Sequence, residues 1–135
     1  MLIRKLLDCP EFIAGDGTRL RELLHPDKQT IDLRYSLAHA VVPVGQVSTP
    51  HALATSEVYY ILVGQGEMHI GGETSRVEPG DAVYIPPQAR QYIRNVGDSP
   101  LVFICLVDPA WRQEDERVFD TKSEPYNPDS IKAKP

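Results

Sequence analysis

Reversal signals recur along this chain at intervals that leave room only for short extended runs between them. Gly15-Asp16-Gly17, His25-Pro26-Asp27, Pro43-Val44-Gly45, Gly64-Gln65-Gly66, Gly71-Gly72, Pro79-Gly80-Asp81, Pro86-Pro87 and Gly97-Asp98-Ser99-Pro100 all carry turn chemistry. The runs between them predict strands over residues 19–24, 32–42, 58–63, 66–70, 74–77, 82–85, 90–95 and 101–107. Gly71-Gly72 predicts a short hairpin loop. No connection is long enough for parallel crossovers, so the sheet is expected to be antiparallel. Eight or so short antiparallel strands must close or stack to remove their edges. Residues 2–7 read as a short strand or a helical turn, and residues 111–116 as one helical turn or an irregular cover. From Thr121 the chain is polar and Pro-rich, which predicts a mobile or extended tail.

Length and charge narrow the function classes. The 135 residues suit one domain with its own core. Net charge is −5, and no Lys/Arg run forms a phosphate-tracking stripe, which argues against nucleic acid. It also argues against an anionic membrane surface. The longest apolar stretches are strand-sized, and the first residues lack a long apolar run and a small-residue cleavage site, so the expected location is cytoplasmic with no membrane partner. In that compartment the two cysteines, Cys9 and Cys105, are expected to be free thiols.

Two blocks carry the chemistry. The first reads Gly45, five residues, His51, Ala52, Leu53, three residues, Glu57, six residues, Gly64. The second reads Gly80-Asp81, then Ile85-Pro86, then Gln91, three residues, Asn95. Together they resemble the paired motifs of the cupin superfamily, Gly-x5-His-x-His-x3,4-Glu-x6-Gly followed by Gly-x5-Pro-x-Gly-x2-His-x3-Asn. The resemblance spans residues 45–95 and implies an all-β fold. That fold is an antiparallel double-stranded β-helix, a jelly-roll barrel, with short N- and C-terminal extensions. On this reading residues 1–30 form an N-terminal strand and extension, 31–110 the barrel, and 111–135 a C-terminal cover and tail of one domain.

The resemblance also implies a site in the barrel mouth. In the family, two histidines and the glutamate of the first block, with the histidine of the second, hold one divalent metal. His51 and Glu57 match two of these ligands, Leu53 stands where the second histidine would be, and Gln91 where the last would be. Gln88 replaces the glycine of Pro-x-Gly. His51, Glu57 and Gln91 are therefore the candidate ligands for a divalent transition metal (Fe, Mn, Ni, Zn or Cu). They fall short of the two histidines and carboxylate typical of oxygenase iron. Strand alternation adds pocket candidates: if Glu57 faces inward, so do Tyr59 and Ile61, and if Gln91 does, so does Ile93. The resemblance places Phe103 and Cys105 toward the same cavity; a free cysteine is also an ordinary small buried hydrophobe.

His69 is expected to point outward and His25 to face solvent, while the facing of His39 is left open. Glu114-Asp115-Glu116 reads as a solvated charge cluster, and Trp111 as a cover for the barrel mouth or a dimer contact. Three readings follow. One is an oxygenase- or isomerase-like enzyme with a weak metal centre acting as Lewis acid and Tyr59 as donor or positioning group. The second is a metal-free barrel binding or sensing a small polar molecule such as a sugar or carboxylic acid. The third is metal-free acid–base catalysis by His51 and Glu57. The resemblance further implies a homodimer.

Overall fold

The computed structural model describes residues 1–119. The expected tail from Thr121 lies outside the described residues. Eleven strands form among them: β1 (Glu11–Ile13), β2 (Arg19–Leu24), β3 (Ser36–Val42), β4 (His51–Leu53), β5 (Ser56–Val63), β6 (Gly66–Ile70), β7 (Glu73–Val77), β8 (Ala82–Ile85), β9 (Gln91–Asn95), β10 (Leu101–Asp108) and β11 (Glu116–Val118). Single 3-10 turns span Leu6–Asp8 and Gln113–Asp115. No helix among the described residues is long and apolar enough to cross a membrane.

The strands divide into two antiparallel sheets, in the orders β1-β2-β3-β10-β5-β8 and β11-β4-β9-β6-β7. β3 and β10 alternate fully between buried and half-buried residues, the period of a strand with one face on a core. Their inward residues Ala38, Ala40, Leu101 and Phe103 pack with Ile61 of β5 and with Met68, Val77 and Ile93 of the opposite sheet. This is the double-stranded β-helix barrel expected from the two motif blocks. Its apolar core fills one end and leaves the other end open.

Three strands are absent from the expectation. β1, β4 and β11 are three residues each, too short to show a period. The strand expected over 32–42 begins at Ser36, because Gln29 to Tyr35 is bends and irregular chain.

Two turn positions constrain side chains directly. At Gly64 φ is +92°, and a Cβ there would stand 2.7 Å from the Pro100 carbonyl oxygen, so only glycine fits. Gln88 has φ +71°, the left-handed region, at the position where the family pattern has glycine. Its backbone N–H donates to the Leu53 carbonyl at 2.7 Å, which ties this turn to β4.

Candidate functional site

β4, β5 and β9 bring the motif residues together. β4 pairs with β9 at one register position, His51 opposite Gln91. β5 lies across the barrel in the other sheet, with Glu57 and Tyr59 facing in. His51, Glu57, Tyr59 and Gln91 are all buried. Tyr59 Oη donates to Gln91 Oε1 at 3.0 Å, and Gln91 Nε2 donates to Glu57 Oε1 at 2.8 Å. Both heteroatoms of the amide are therefore engaged within a buried relay.

His51 is fixed from the other side. Its Nδ1 lies 3.0 Å from the Thr49 carbonyl oxygen, which makes Nδ1 the protonated nitrogen. Nε2 then faces Asp16 Oδ2 at 3.6 Å. Asp16 is itself held by Thr18, whose backbone N–H and hydroxyl both donate to Oδ1, at 3.1 and 2.8 Å. Glu116, brought in by the pairing of β11 with β4, completes the ring of carboxylates and accepts a hydrogen bond from the Trp111 side chain.

These groups line a cavity of about 340 Å³, within the range of small-molecule sites. Asp16, His51, Glu57, Tyr59 and Glu116 form its polar end, and Leu20, Ala38, Leu53, Phe103, Val107 and Trp111 contribute its apolar wall. Of the pocket residues expected from sequence, Tyr59, Phe103 and Cys105 line this cavity. Ile61 and Ile93 do not: both are fully buried in the packed end, one residue pair deeper along their strands. Gln91 stands behind the wall and acts on the cavity through Glu57 and Tyr59.

The electrostatics follow from this crowding. Burial pushes the Glu57 carboxyl up to about 7, against the opposing pull of His51 and of the Gln91 hydrogen bond. Burial also works against a charged imidazole at His51, yet Asp16, Glu57, the Thr49 carbonyl and Glu116 together raise its pKa above 6.5. Burial raises Glu116 as well, and holds the Tyr59 hydroxyl and the Cys105 thiol well above their ordinary values, so both stay protonated at neutral pH.

Several remaining expectations are resolved. Cys9 and Cys105 are free and buried. His69 lies on the outer face of its sheet, against Glu67 at 2.7 Å and stacked on Tyr92. His39 is half-buried on the face turned away from the barrel interior. His25 corrects the expectation: it is buried, not solvent-facing. Its Nε2 donates to the Trp111 carbonyl at 2.7 Å, and its Nδ1 accepts from the Asp27 N–H at 3.0 Å. The Nε2 bond ties the Trp111 segment, which lines the cavity, to the loop after β2, and the Nδ1 bond fixes the ring within that loop. Glu116 also departs from its reading as part of a solvated cluster, since pairing with β4 turns it into the cavity. Asp16 was legible only as a turn residue, because nothing in the spacing of the first hairpin links it to the motif blocks.

The donors present do not fit a transition-metal ion. Asp16, Glu57 and Glu116 stand around His51 at the cavity wall, but among the described residues no three His, Cys, Asp or Glu side chains are placed so that they could hold one ion. Leu53 offers no lone pair, and the Gln91 oxygen is already an acceptor for Tyr59. One imidazole nitrogen is left beside the carboxylates, short of the two histidines and carboxylate of oxygenase iron.

An antiparallel double-stranded β-helix with a polar pocket at one open end defines a small-molecule barrel. Comparison with known proteins places it: the chain belongs to the cupin family, whose cupin domain matches residues 38–107. It is 41% identical over 110 residues to an uncharacterized protein of Methanocaldococcus jannaschii, covering 81% of this chain and 87% of that one. It is 25% identical over 112 residues to an oxalate-binding protein of Thermotoga maritima, covering 79% and 93%. A Streptomyces nucleoside dehydratase solved with uridine shares the fold, with a TM-score of 0.70 at 19% identity, covering 93% of this chain and 99% of that one.

Proposed function

We propose that this cupin binds a small polar molecule in the open end of its barrel, with its own side chains rather than a metal ion making the polar contacts. The observation that carries the reading is the buried relay from Tyr59 through Gln91 to Glu57. It commits the Gln91 amide to the protein's own hydrogen bonding, and it orients Glu57 so that one carboxylate oxygen is left for a ligand. The relatives support small-molecule binding as the common theme, one being named for binding oxalate.

A specific observation favours proton transfer as the accompanying chemistry. Glu57 titrates near 7, and the carboxylates around His51 raise its pKa at the same wall of the cavity, which puts two proton-exchanging groups side by side. With Nδ1 of His51 donating to Thr49, Nε2 is the atom that gains or loses the proton. A bound molecule placed between Nε2 and the Glu57 carboxyl would meet one acid and one base.

The homodimer belongs to this reading too. The outer face of the six-stranded sheet exposes Tyr60, Leu62 and Tyr84, a surface a second copy would cover.

Elemental analysis of protein purified without a histidine tag or chelator tests the metal-free reading. Less than about a tenth of an equivalent of any transition metal, with no uptake on titration, is the expected result. Stoichiometric metal that is lost in His51→Ala would contradict it.

A further inference from the structure

The cavity's inventory of polar atoms is lopsided. Asp16, Glu22, Glu57 and Glu116 line it, against one lysine and no arginine. Lys28 is already engaged at the rim, with its Nζ 2.6 Å from Glu22 Oε1. Deeper in, three carboxylates surround a single imidazole. The usual anion-binding groups, arginine forks and free backbone N–H groups at a helix start, have no counterpart among the lining residues.

Apart from the proton that His51 Nε2 carries when charged, which faces Asp16 Oδ2 at 3.6 Å, the donors are also largely spent. The Tyr59 hydroxyl proton goes to Gln91, the Thr18 hydroxyl proton to Asp16, and the Trp111 side chain to Glu116. Ser36 keeps its hydroxyl proton, since its oxygen accepts from the Trp111 N–H at 2.9 Å. The acceptors are not spent. Glu57 is more than nine-tenths buried and lines the cavity, and its Oε2 has no hydrogen-bond partner among the described residues. Oε2 faces the cavity, so a ligand that supplies a donor there gains a hydrogen bond in a poorly hydrated setting.

We infer that the cavity selects a molecule with a hydrogen-bond-donating head group, an amine before a hydroxyl, on a compact apolar body, and that it rejects carboxylates and phosphates. The inference rests on the binding role proposed above and names the ligand class for it. The head group would meet Asp16, Glu57 and Glu116, and the body would lie against Leu53, Phe103 and Trp111. A carboxylate head would instead face like charge at close range in a poorly hydrated site, which is strongly unfavourable.

Three probes on one skeleton test this: cyclohexylamine, cyclohexanol and cyclohexanecarboxylate, titrated calorimetrically into the wild-type chain at pH 8, above the Glu57 value of about 7, so that this carboxyl is mostly ionised. The amine is expected to bind at least about tenfold tighter than the carboxylate, with the alcohol between them. In Asp16→Asn/Glu116→Gln the difference should shrink to about threefold or less, because two like charges are gone. The single Asp16→Asn variant, which keeps an oxygen for Thr18, should give an intermediate ratio, and unliganded thermal midpoints check that each variant folds. Carboxylate binding as tight as amine binding would overturn the inference and leave cavity binding standing. An amine preference unchanged in the variants would overturn the assignment to these carboxylates. Failure of all three probes to bind would overturn the binding role itself, and this inference with it.

Discussion

Glu57 is a carboxyl group held where its charge is costly, and that has a measurable consequence. Burial moves its pKa from about 4.5 to about 7, so the folded protein holds a proton there that the unfolded chain releases. Between those values folding takes up a proton, and stability falls as pH rises. His51, raised above 6.5, acts in the same direction: its contribution is full below 6.5 and is lost as pH climbs through its folded value. Thermal midpoints should therefore decline as pH rises from about 5 to about 7, with Glu57 alone accounting for roughly 3 kcal/mol, and decline further as His51 loses its proton. Glu57→Gln keeps an acceptor for Gln91 Nε2 and should flatten the lower part of that curve. A midpoint in Glu57→Gln that still falls as steeply between pH 5 and 7 would show that the titrating group lies elsewhere. At this scale His51, Glu57 and Gln91 were legible through the resemblance of their two blocks to the cupin motifs, whose ligand positions they occupy. Asp16 and Glu116 were not legible. They reach the cavity through pairings of short strands far from the motif, which no local pattern encodes.

At the scale of elements, the turn before β9 and the contact of β4 with β9 set the geometry. Gln88 occupies the left-handed region at a cost of about 1–2 kcal/mol for a residue with a Cβ. Glycine removes that cost and adds back some unfolded-state entropy, so Gln88→Gly should stabilise by up to about 1 kcal/mol. Gln88→Val should destabilise, since a β-branched residue is least suited to positive φ. Denaturant midpoints of the two variants check both signs. The same elements give a constructive test of the site. Leu53 lines the cavity beside His51, and Gln91 is the register partner of His51. Leu53→His with Gln91→His restores the family's ligand set, and the double variant should take up a divalent ion that the parent does not. No gain over the parent would mean that β4, β5 and β9 do not aim these positions at one point. The long strands were readable from their alternation and the turns from Gly and Pro. β1, β4 and β11 were not, since three residues carry no period and their pairing is decided by tertiary contacts.

For the whole molecule, the outer face of the six-stranded sheet carries exposed large side chains. Tyr60, Leu62 and Tyr84 stand together on the outer side of β5 and β8, where Tyr84 pairs with Val58 and Tyr60 with Ala82. Sedimentation should find a dimer, and Leu62→Glu with Tyr84→Glu should shift it to monomer, since burying two carboxylates at a two-fold contact is strongly unfavourable. A parent that is monomeric at all concentrations would refute that role for the face. The barrel as a whole was legible from sequence because closure is the remedy open to so many short antiparallel strands. The chemistry inside was only half legible, because the lost ligands at positions 53 and 91 reveal what the site lacks and not what fills it. On the proposed function, the polar end of the barrel binds a small molecule without a metal. Calorimetric titration of cyclohexylamine into chelator-dialysed protein, repeated after addition of manganese or zinc, tests it most directly. The same affinity is expected in both titrations, and binding that appears only after the metal is added would contradict metal-free binding.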